Sequence, residues 1–458
     1  MDTPSLNQPV FKAAQDSPQG PSKDSAKNSD VITLGCRLNA YESEVIKGHI
    51  KDVGLKDTII VNSCAVTQEA VRTTRRTIRK AKRELPDAHI VVTGCAAQID
   101  PDSFAKMDEV SRVIGNHEKM LAPTFDPDTL FEGAKIKVND IMSVTQTAPQ
   151  LIIGGNRVLE KTQSRTRAFL QVQNGCDHRC TFCIIPFGRG QARSVPAGEV
   201  IAHVKDLVRQ GYKEVVLTGV DISSWGRDLP GSPPLGNLVK RVLKLVPDLP
   251  RLRLSSIDPA EIDKDLFDVL TTNSRMVPYL HLSLQAGDNL ILKRMKRRHS
   301  REEAIDLCTR LKAARPEISF GADMIAGFPT ETDTMFENSR RIISDIGIAW
   351  LHVFPFSPRM GTPAAKMPAL DGTVIKERAK ALREAGELQR AQHIRARIGD
   401  IDIALFEEAG SEAPSLGRLA DFTLVKVDNP PKAGSLARVK LTGYEDKYAL
   451  GVIVEGLS

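Results

Sequence analysis

Nowhere in the 458 residues is there a run of about 18 or more apolar residues, so no membrane-crossing helix is expected. The first 29 residues, MDTPSLNQPVFKAAQDSPQGPSKDSAKNS, have no arginine and no apolar core of the kind that marks a secretion signal. Their Ser, Pro, Gln, Asp and Lys content reads as a disordered extension. A strong charge of either sign is also missing. With 63 Lys and Arg against 57 Asp and Glu, the formal charge is +6, and a polyanionic partner has to be argued from clustering rather than from the total. Seven cysteines in uneven groups do not make a disulfide scaffold, and a chain of this size without a signal is expected in the reducing cytoplasm.

What is present is an α/β pattern in several domains. Hydrophobic residues make up 41% and charged residues 26%, ordinary values for globular proteins, and the length suits two to four domains. Between Val31 and Asn116, strands alternate with helices: VITLGC then SEVIKGHIKDVG, TIIVNSC then a long helix to Leu85, HIVVTGC then a helix near Asp102. That alternation predicts an N-terminal parallel αβ domain over residues 30–121. Cys36, Cys64 and Cys95 each lie just past one apolar run. Strand ends of a parallel sheet emerge on one edge, where such sheets bind ligands, so the three thiols should converge.

Residues 122–164 carry turn residues and few periodic segments, and are expected to be a linker with short elements. A second αβ series fills residues 165–399, with strands at 168–173, 214–220, 251–257, 279–285, 320–327 and 350–356. Six units are two short of an eightfold barrel, so an open partial (β/α)6 barrel is expected, its site at the strand C-terminal ends where Cys176, Asp221, Asp258 and Gln285 fall. A basic helix over 374–397 closes this domain. Residues 400–458 are short β segments divided by turn residues, which predicts a small antiparallel β-barrel.

The densest chemistry is NGCDHRCTFCIIPFGRG, 174–190, with Cys176, Cys180 and Cys183 at spacings of four and three. A cubane cluster normally takes four thiolates, and no further cysteine follows until Cys308. A Cys3His zinc site with His178 would crowd its ligands together, where structural zinc usually takes two separated pairs. A ferredoxin cluster would need a fourth cysteine close by. Cys308 itself shares a helical stripe with Ile305, Leu307 and Leu311 and is expected in the core.

A C-x3-C-x2-C loop after the first strand of an incomplete barrel resembles the radical S-adenosylmethionine (SAM) superfamily, with Phe182 at its aromatic position. The resemblance implies a 4Fe-4S cluster on Cys176, Cys180 and Cys183 whose open iron binds SAM and cleaves it to methionine and a deoxyadenosyl radical. With ITLGCRLNAYESEV (32–45), VNSCAVT (61–67) and VTGCAAQ (92–98), the stretch QNGCDHRCTFCIIPFGRGQARSVP (173–196) is similar to the methylthiotransferase family over nearly everything after residue 30. That family implies a second 4Fe-4S cluster on Cys36, Cys64 and Cys95, the alternative being three buried, inert thiols. LTGVDISSWGRD, 217–228, occupies the place of the superfamily's Gly-rich contact to SAM, which implies Gly219 and Asp221 as SAM contacts, and by position Ser255 and Gln285 are candidates for lining the cofactor pocket.

Basic clusters point to the partner. In 70–85, Val71, Thr74, Ile78, Ala81 and Leu85 recur at helical spacing while Arg72, Arg75, Arg76, Arg79, Lys80, Lys82 and Arg83 cover the rest. A second basic run spans 292–302. In the family the terminal barrel resembles a TRAM domain, an RNA-binding module, which favours a folded RNA. Of the family's branches, acting on isopentenyladenosine in tRNA, on a ribosomal protein aspartate or on threonylcarbamoyladenosine in tRNA, the wording most resembles the last. The implied reaction is methylthiolation of carbon 2 of the adenine beside the anticodon, on the tRNA anticodon stem-loop, with an external electron donor of flavodoxin or ferredoxin type. The competing class is a non-catalytic, metal-containing RNA-binding protein.

Overall fold

The computed structural model describes residues 29–145, 166–407 and 416–457. All of the expected disordered extension but Ser29, and the later part of the expected linker, lie outside the described residues.

Five parallel strands form the N-terminal sheet in sequential order: β1 (Asp30–Thr33), β2 (Thr58–Ser63), β3 (His89–Gly94), β4 (Arg112–Ile114) and β5 (Ile136–Lys137). Period-2 alternation splits their side chains between two cores. Val31, Ile60, Val91 and Ile114 meet Ile46 and Ile50 of α1 (Arg37–Asp52). Ile32, Ile59, Val61 and Val92 meet Ile78 and Ala81 of α2 (Gln68–Glu84). Each fully buried Ile contributes about 1.5–3 kcal/mol. Helix α1 begins six residues earlier than expected from Ser43, directly after Cys36, because its first turns bury polar Asn39, Glu42 and Ser43. In place of one helix near Asp102 there are two short ones, α3 (Cys95–Ile99) and α4 (Pro101–Ala105), with Pro101 opening the second. Strand β5 pairs with β4, so this sheet reaches past residue 121, the expected end of the domain.

The second domain begins with β6 (Arg167–Gln171), then β7 (Gln173–Asn174), the short helix α5 (Ile185–Arg189) and β8 (Arg193–Ser194). Strands β9 (Glu214–Thr218), β10 (Arg251–Leu254), β11 (Tyr279–Gln285), β12 (Ser319–Ala326) and β13 (Ile348–Pro355) follow. All inter-strand pairings among β6 and β9 to β13 are parallel, in two sheets of order β10-β9-β6 and β11-β12-β13. Parallel bridges Leu252–Met276 and Ile257–Leu282 join the two into the expected six-stranded partial barrel with β6 and β13 at its open edges. Helix α1 packs on the β6 edge. Cys308 is buried in the barrel's outer core.

A long helix, Gly372–Ala396, leads into a closed five-stranded barrel: β14 (Ile401–Glu407), β15 (Leu416–Leu419), β16 (Leu424–Lys426), β17 (Leu436–Glu445) and β18 (Tyr448–Leu457). The expectation of an antiparallel barrel holds at every seam but one, β16 running parallel to β18 at Val425–Ala449. An odd number of strands cannot alternate direction around a closed ring.

This barrel plugs the N-terminal end of the larger one. The Arg253 guanidinium donates to Glu214 at 2.6 Å and to the Ala420 carbonyl at 3.0 Å, Arg167 pairs with Glu407 at 2.6 Å, and Phe422 stacks on Tyr279 at 4.7 Å. Burial alone would raise the Glu214 carboxyl, but Arg253, Arg167 and Arg251 hold it down to about 2.

Candidate active site

The carboxyl ends of β1, β2 and β3 each deliver one cysteine to the same edge of the N-terminal sheet. Cys36 precedes α1, Cys64 follows β2 and Cys95 opens α3. Cys36 is exposed; the other two are buried. Gly35, in the left-handed region at φ 105°, lies so close that an added Cβ would sit 2.7 Å from the Cys64 Cβ. Burial, with the Cys36 and Cys95 thiols beside it, pushes Cys64 up to about 12.

The second triplet occupies the loop between β7 and α5. Gly175 opens it at φ 71°, where a Cβ would be 1.7 Å from the Gln191 carbonyl oxygen. The Cys176 N–H donates to the Gly190 carbonyl, the Thr181 N–H to that of Met295, and the Thr181 carbonyl accepts from the Ala364 N–H. Phe182 packs into an apolar bed that includes Ile291, Met295 and Phe328. The loop is thus held at its start and middle while its thiols are left without strong partners. Cys176 Sγ lies 3.8 Å from Asp221 Oδ2, and Cys180 Sγ lies 3.7 Å from Arg297 Nη1. Arg297 is itself fixed by Asp258 at 2.9 Å and the Ser283 carbonyl at 2.7 Å. Burial and the Asp221 charge push Cys176 well above the usual thiol range, and burial pushes Cys183 up to about 11.

The two triplets adjoin. A Cβ on Gly188, in α5, would lie 3.2 Å from the Cys95 Cβ, and the Asn116 amide donates to both Cys95 Sγ (3.7 Å) and the Gly188 carbonyl (2.5 Å). Arg189, the next residue, enters the N-terminal domain and donates to Glu42 and, at 2.6 Å, to Asn39 Oδ1. Lys119 reaches the same carboxylate at 2.7 Å. Burial would raise Glu42, but Arg189 and Lys119 hold it down to about 2.

Two sets of three soft thiol donors at adjoining sheet edges fit iron-sulfur ligation, which displaces the thiol protons as thiolates bind metal. Of the remaining candidates, Asp221 lies beside the second triplet, and Ser255 and Gln285 stand at the carboxyl ends of β10 and β11. Ser255 is buried, and its hydroxyl has no hydrogen-bond partner among the described residues. Gln285, the last residue of β11, takes the left-handed conformation at φ 71°, a strain typical of functional sites. The Asp221 N–H donates to Gln173 Oε1 at 2.9 Å, and the Asp221 Oδ2 lies 2.9 Å from His178 Nε2. At Gly219 a Cβ would meet Gln173 Oε1 at 2.9 Å, so its bareness lets the end of β9 approach β7.

Residue reasoning missed Arg189, Glu42, Lys119 and Asn116. One signal was available: Asn39, Ser43, Ile46 and Ile50 lie at helical spacing, which puts polar side chains on the stripe that faces the core.

Residues 170–343 match the radical SAM superfamily, and residues 28–115 match a group described as uncharacterized protein family UPF0004. The chain is 48% identical over 425 residues to the threonylcarbamoyladenosine tRNA methylthiotransferase MtaB of Rickettsia prowazekii, covering 93% of this chain and 97% of that protein. The MtaB of Chlamydia pneumoniae is 33% identical with the same coverage. A tRNA-2-methylthio-N(6)-dimethylallyladenosine synthase from Shouchella clausii is 31% identical over 90% of this chain and 81% of its own. Among solved structures, the radical SAM methyltransferase TsrM of Kitasatospora setae superposes with a TM-score of 0.51 at 16% identity, over 71% of this chain and 74% of that one, a likeness of fold.

An open parallel barrel with a three-thiol loop at its mouth defines a radical SAM enzyme. More narrowly, the chain belongs to the radical SAM tRNA methylthiotransferase family, whose members use SAM and two 4Fe-4S clusters.

Proposed function

We propose that this enzyme methylthiolates carbon 2 of N6-threonylcarbamoyladenosine beside the anticodon of tRNA, giving 2-methylthio-N6-threonylcarbamoyladenosine. The observation that carries this reading is the contact of Gly188 with Cys95, which sets the two cysteine triplets against each other in a chain 48% identical to an MtaB. When bound, the clusters and SAM supply hydrogen abstraction from an unactivated C–H bond, sulfur and a methyl group, none of which a side-chain acid or base can provide.

The chain's own residues hold and insulate these groups. Cys176, Cys180 and Cys183 hold one cluster, and Cys36, Cys64 and Cys95 the other. Phe182 fastens the first loop, and Gly219, Asp221, Ser255 and Gln285 line the SAM side of the mouth. Arg189 places a fixed cation beside the N-terminal thiols. The exposed face of α2, with Arg72, Arg76 and Arg79, suits tRNA phosphates, and the C-terminal barrel serves as a TRAM-like second RNA contact. The target base has to leave its stack to enter the barrel. An external donor of flavodoxin or ferredoxin type supplies electrons, and the reaction takes place in the cytoplasm; no helix among the described residues is long and apolar enough to cross a membrane.

Deletion of the gene, followed by mass spectrometry of tRNA nucleosides, tests the reading. Loss of the 2-methylthio derivative with accumulation of threonylcarbamoyladenosine is expected. Unchanged levels in a strain with no second such enzyme would sink the substrate assignment. Anaerobically prepared protein should hold about eight irons, and Cys180→Ala about four with turnover abolished.

A further inference from the structure

The strands of the partial barrel send alternate side chains inward. Leu170, Leu282, Ala322 and Val353 face the outer helices and are buried. Their neighbours Phe169, Ser283, Asp323 and His352 are half-buried, so solvent reaches the lumen from within. One cation of this lumen comes from the other domain. Arg37, the residue after Cys36, extends from the start of α1 until its Cζ lies 5.9 Å from the centre of the Phe169 ring, within electrostatic reach of Tyr279 and Asp323 and of two further cations, Arg253 and Arg418. It is half-buried.

Its lack of a partner separates it from the other arginines nearby. Arg167 has Glu407, Arg253 has Glu214, Arg189 has Glu42 and Arg297 has Asp258. Among the described residues, Arg37 makes no hydrogen bond and has no carboxylate within 4.0 Å. The carboxylate in its reach, Asp323, is taken by His281 at 3.1 Å and His352 at 3.0 Å. A half-buried guanidinium with no protein carboxylate on it is free to take an anion from the lumen, and its planar fork matches a carboxylate. The base proposed above brings one, on the threonine attached to N6.

Resting on that substrate assignment, we propose that Arg37 binds the carboxylate of the threonylcarbamoyl group and so selects this base over neutral N6-substituted adenosines. Carbon 2 and the N6-bearing carbon flank N1 on one edge of adenine. Holding the carboxylate therefore also fixes the edge of the base that carries carbon 2.

The test uses reconstituted holoenzyme and two anticodon stem-loops, one carrying threonylcarbamoyladenosine and one with its carboxylate converted to a carboxamide. Turnover is measured for both, with stem-loop affinity by fluorescence anisotropy, iron content, and SAM cleavage as a function of SAM concentration. The wild-type enzyme should favour the carboxylate by about tenfold to a hundredfold, the worth of a charge-assisted pair. Arg37→Gln should bring the two substrates to near parity in turnover and affinity with iron unchanged, and Arg37→Lys should keep part of the preference. A wild-type enzyme that treats the two alike overturns the proposal without any variant. So does an Arg37→Gln enzyme that keeps the preference but needs more SAM, since Arg37 would then hold the SAM carboxylate. Wild-type failure on both stem-loops would defeat the substrate assignment itself.

Discussion

Arg189 places two nitrogens on the Glu42 carboxylate, at 2.7 and 3.0 Å, from the far side of a domain boundary and with both side chains withdrawn from water. With Lys119 on the same carboxylate, the buried group carries two cations and one anion. The surplus positive charge lies beside the N-terminal cysteines and would offset the charge of thiolates there.

Removing the anion should therefore cost more than removing a surface pair. Glu42→Gln strands two buried cations and is expected to lower stability by about 3–5 kcal/mol. Urea denaturation followed by circular dichroism measures the loss. A change under about 1 kcal/mol, the worth of a surface pair, would mean that water enters the site.

Acid should act through the same carboxylate. Glu42 is held at about 2 in the folded chain against an ordinary 4.5, so its contribution is complete above pH 4.5 and disappears as pH falls through about 2. Glu214, also held at about 2, adds in the same direction. Stability measured across that window should fall steeply for the wild type and less steeply for Glu42→Gln, whose amide does not titrate.

Gly175 and Gly347 make a matched pair for testing the first turn of the thiol loop. Both have φ above 70°, but a Cβ meets the Gln191 carbonyl in one case and nothing within 4 Å in the other. Gly347→Ala should cost about 1–2 kcal/mol from backbone strain and keep all iron. Gly175→Ala should lose the cluster of its own loop, leaving about four irons by colorimetric assay.

Helix α2 offers a test that does not touch the core. Arg72, Arg76 and Arg79 have side chains 65%, 71% and 61% exposed, with only surface partners in Glu69 and Glu109. Changing all three to Gln should weaken tRNA binding and reduce the slope of log affinity against log salt by about 0.7–0.9 for each phosphate no longer neutralised, with melting unchanged. An unaltered slope would place the RNA elsewhere.

The features legible in the sequence were those that repeat or cluster. Apolar runs marked the strands, and a cysteine after each of three runs marked one edge, because in a parallel sheet position along the strand dictates position in space. Residues that work singly across domains were hidden. Glu42 and Arg189 read as ordinary surface charges since they are 147 residues apart. Strand β5, two residues long, carries no periodicity, and the stacking of Phe422 on Tyr279 depends on how one barrel docks on another.

That docking has a consequence for traffic. With Arg253, Tyr279 and Phe422 packed against the C-terminal barrel, the floor of the larger barrel is shut. A nucleotide cannot pass through that floor, so it has to approach from the strand C-terminal side, where both cysteine triplets lie. A mutation that opened the floor would let bulk water reach the reacting base from below.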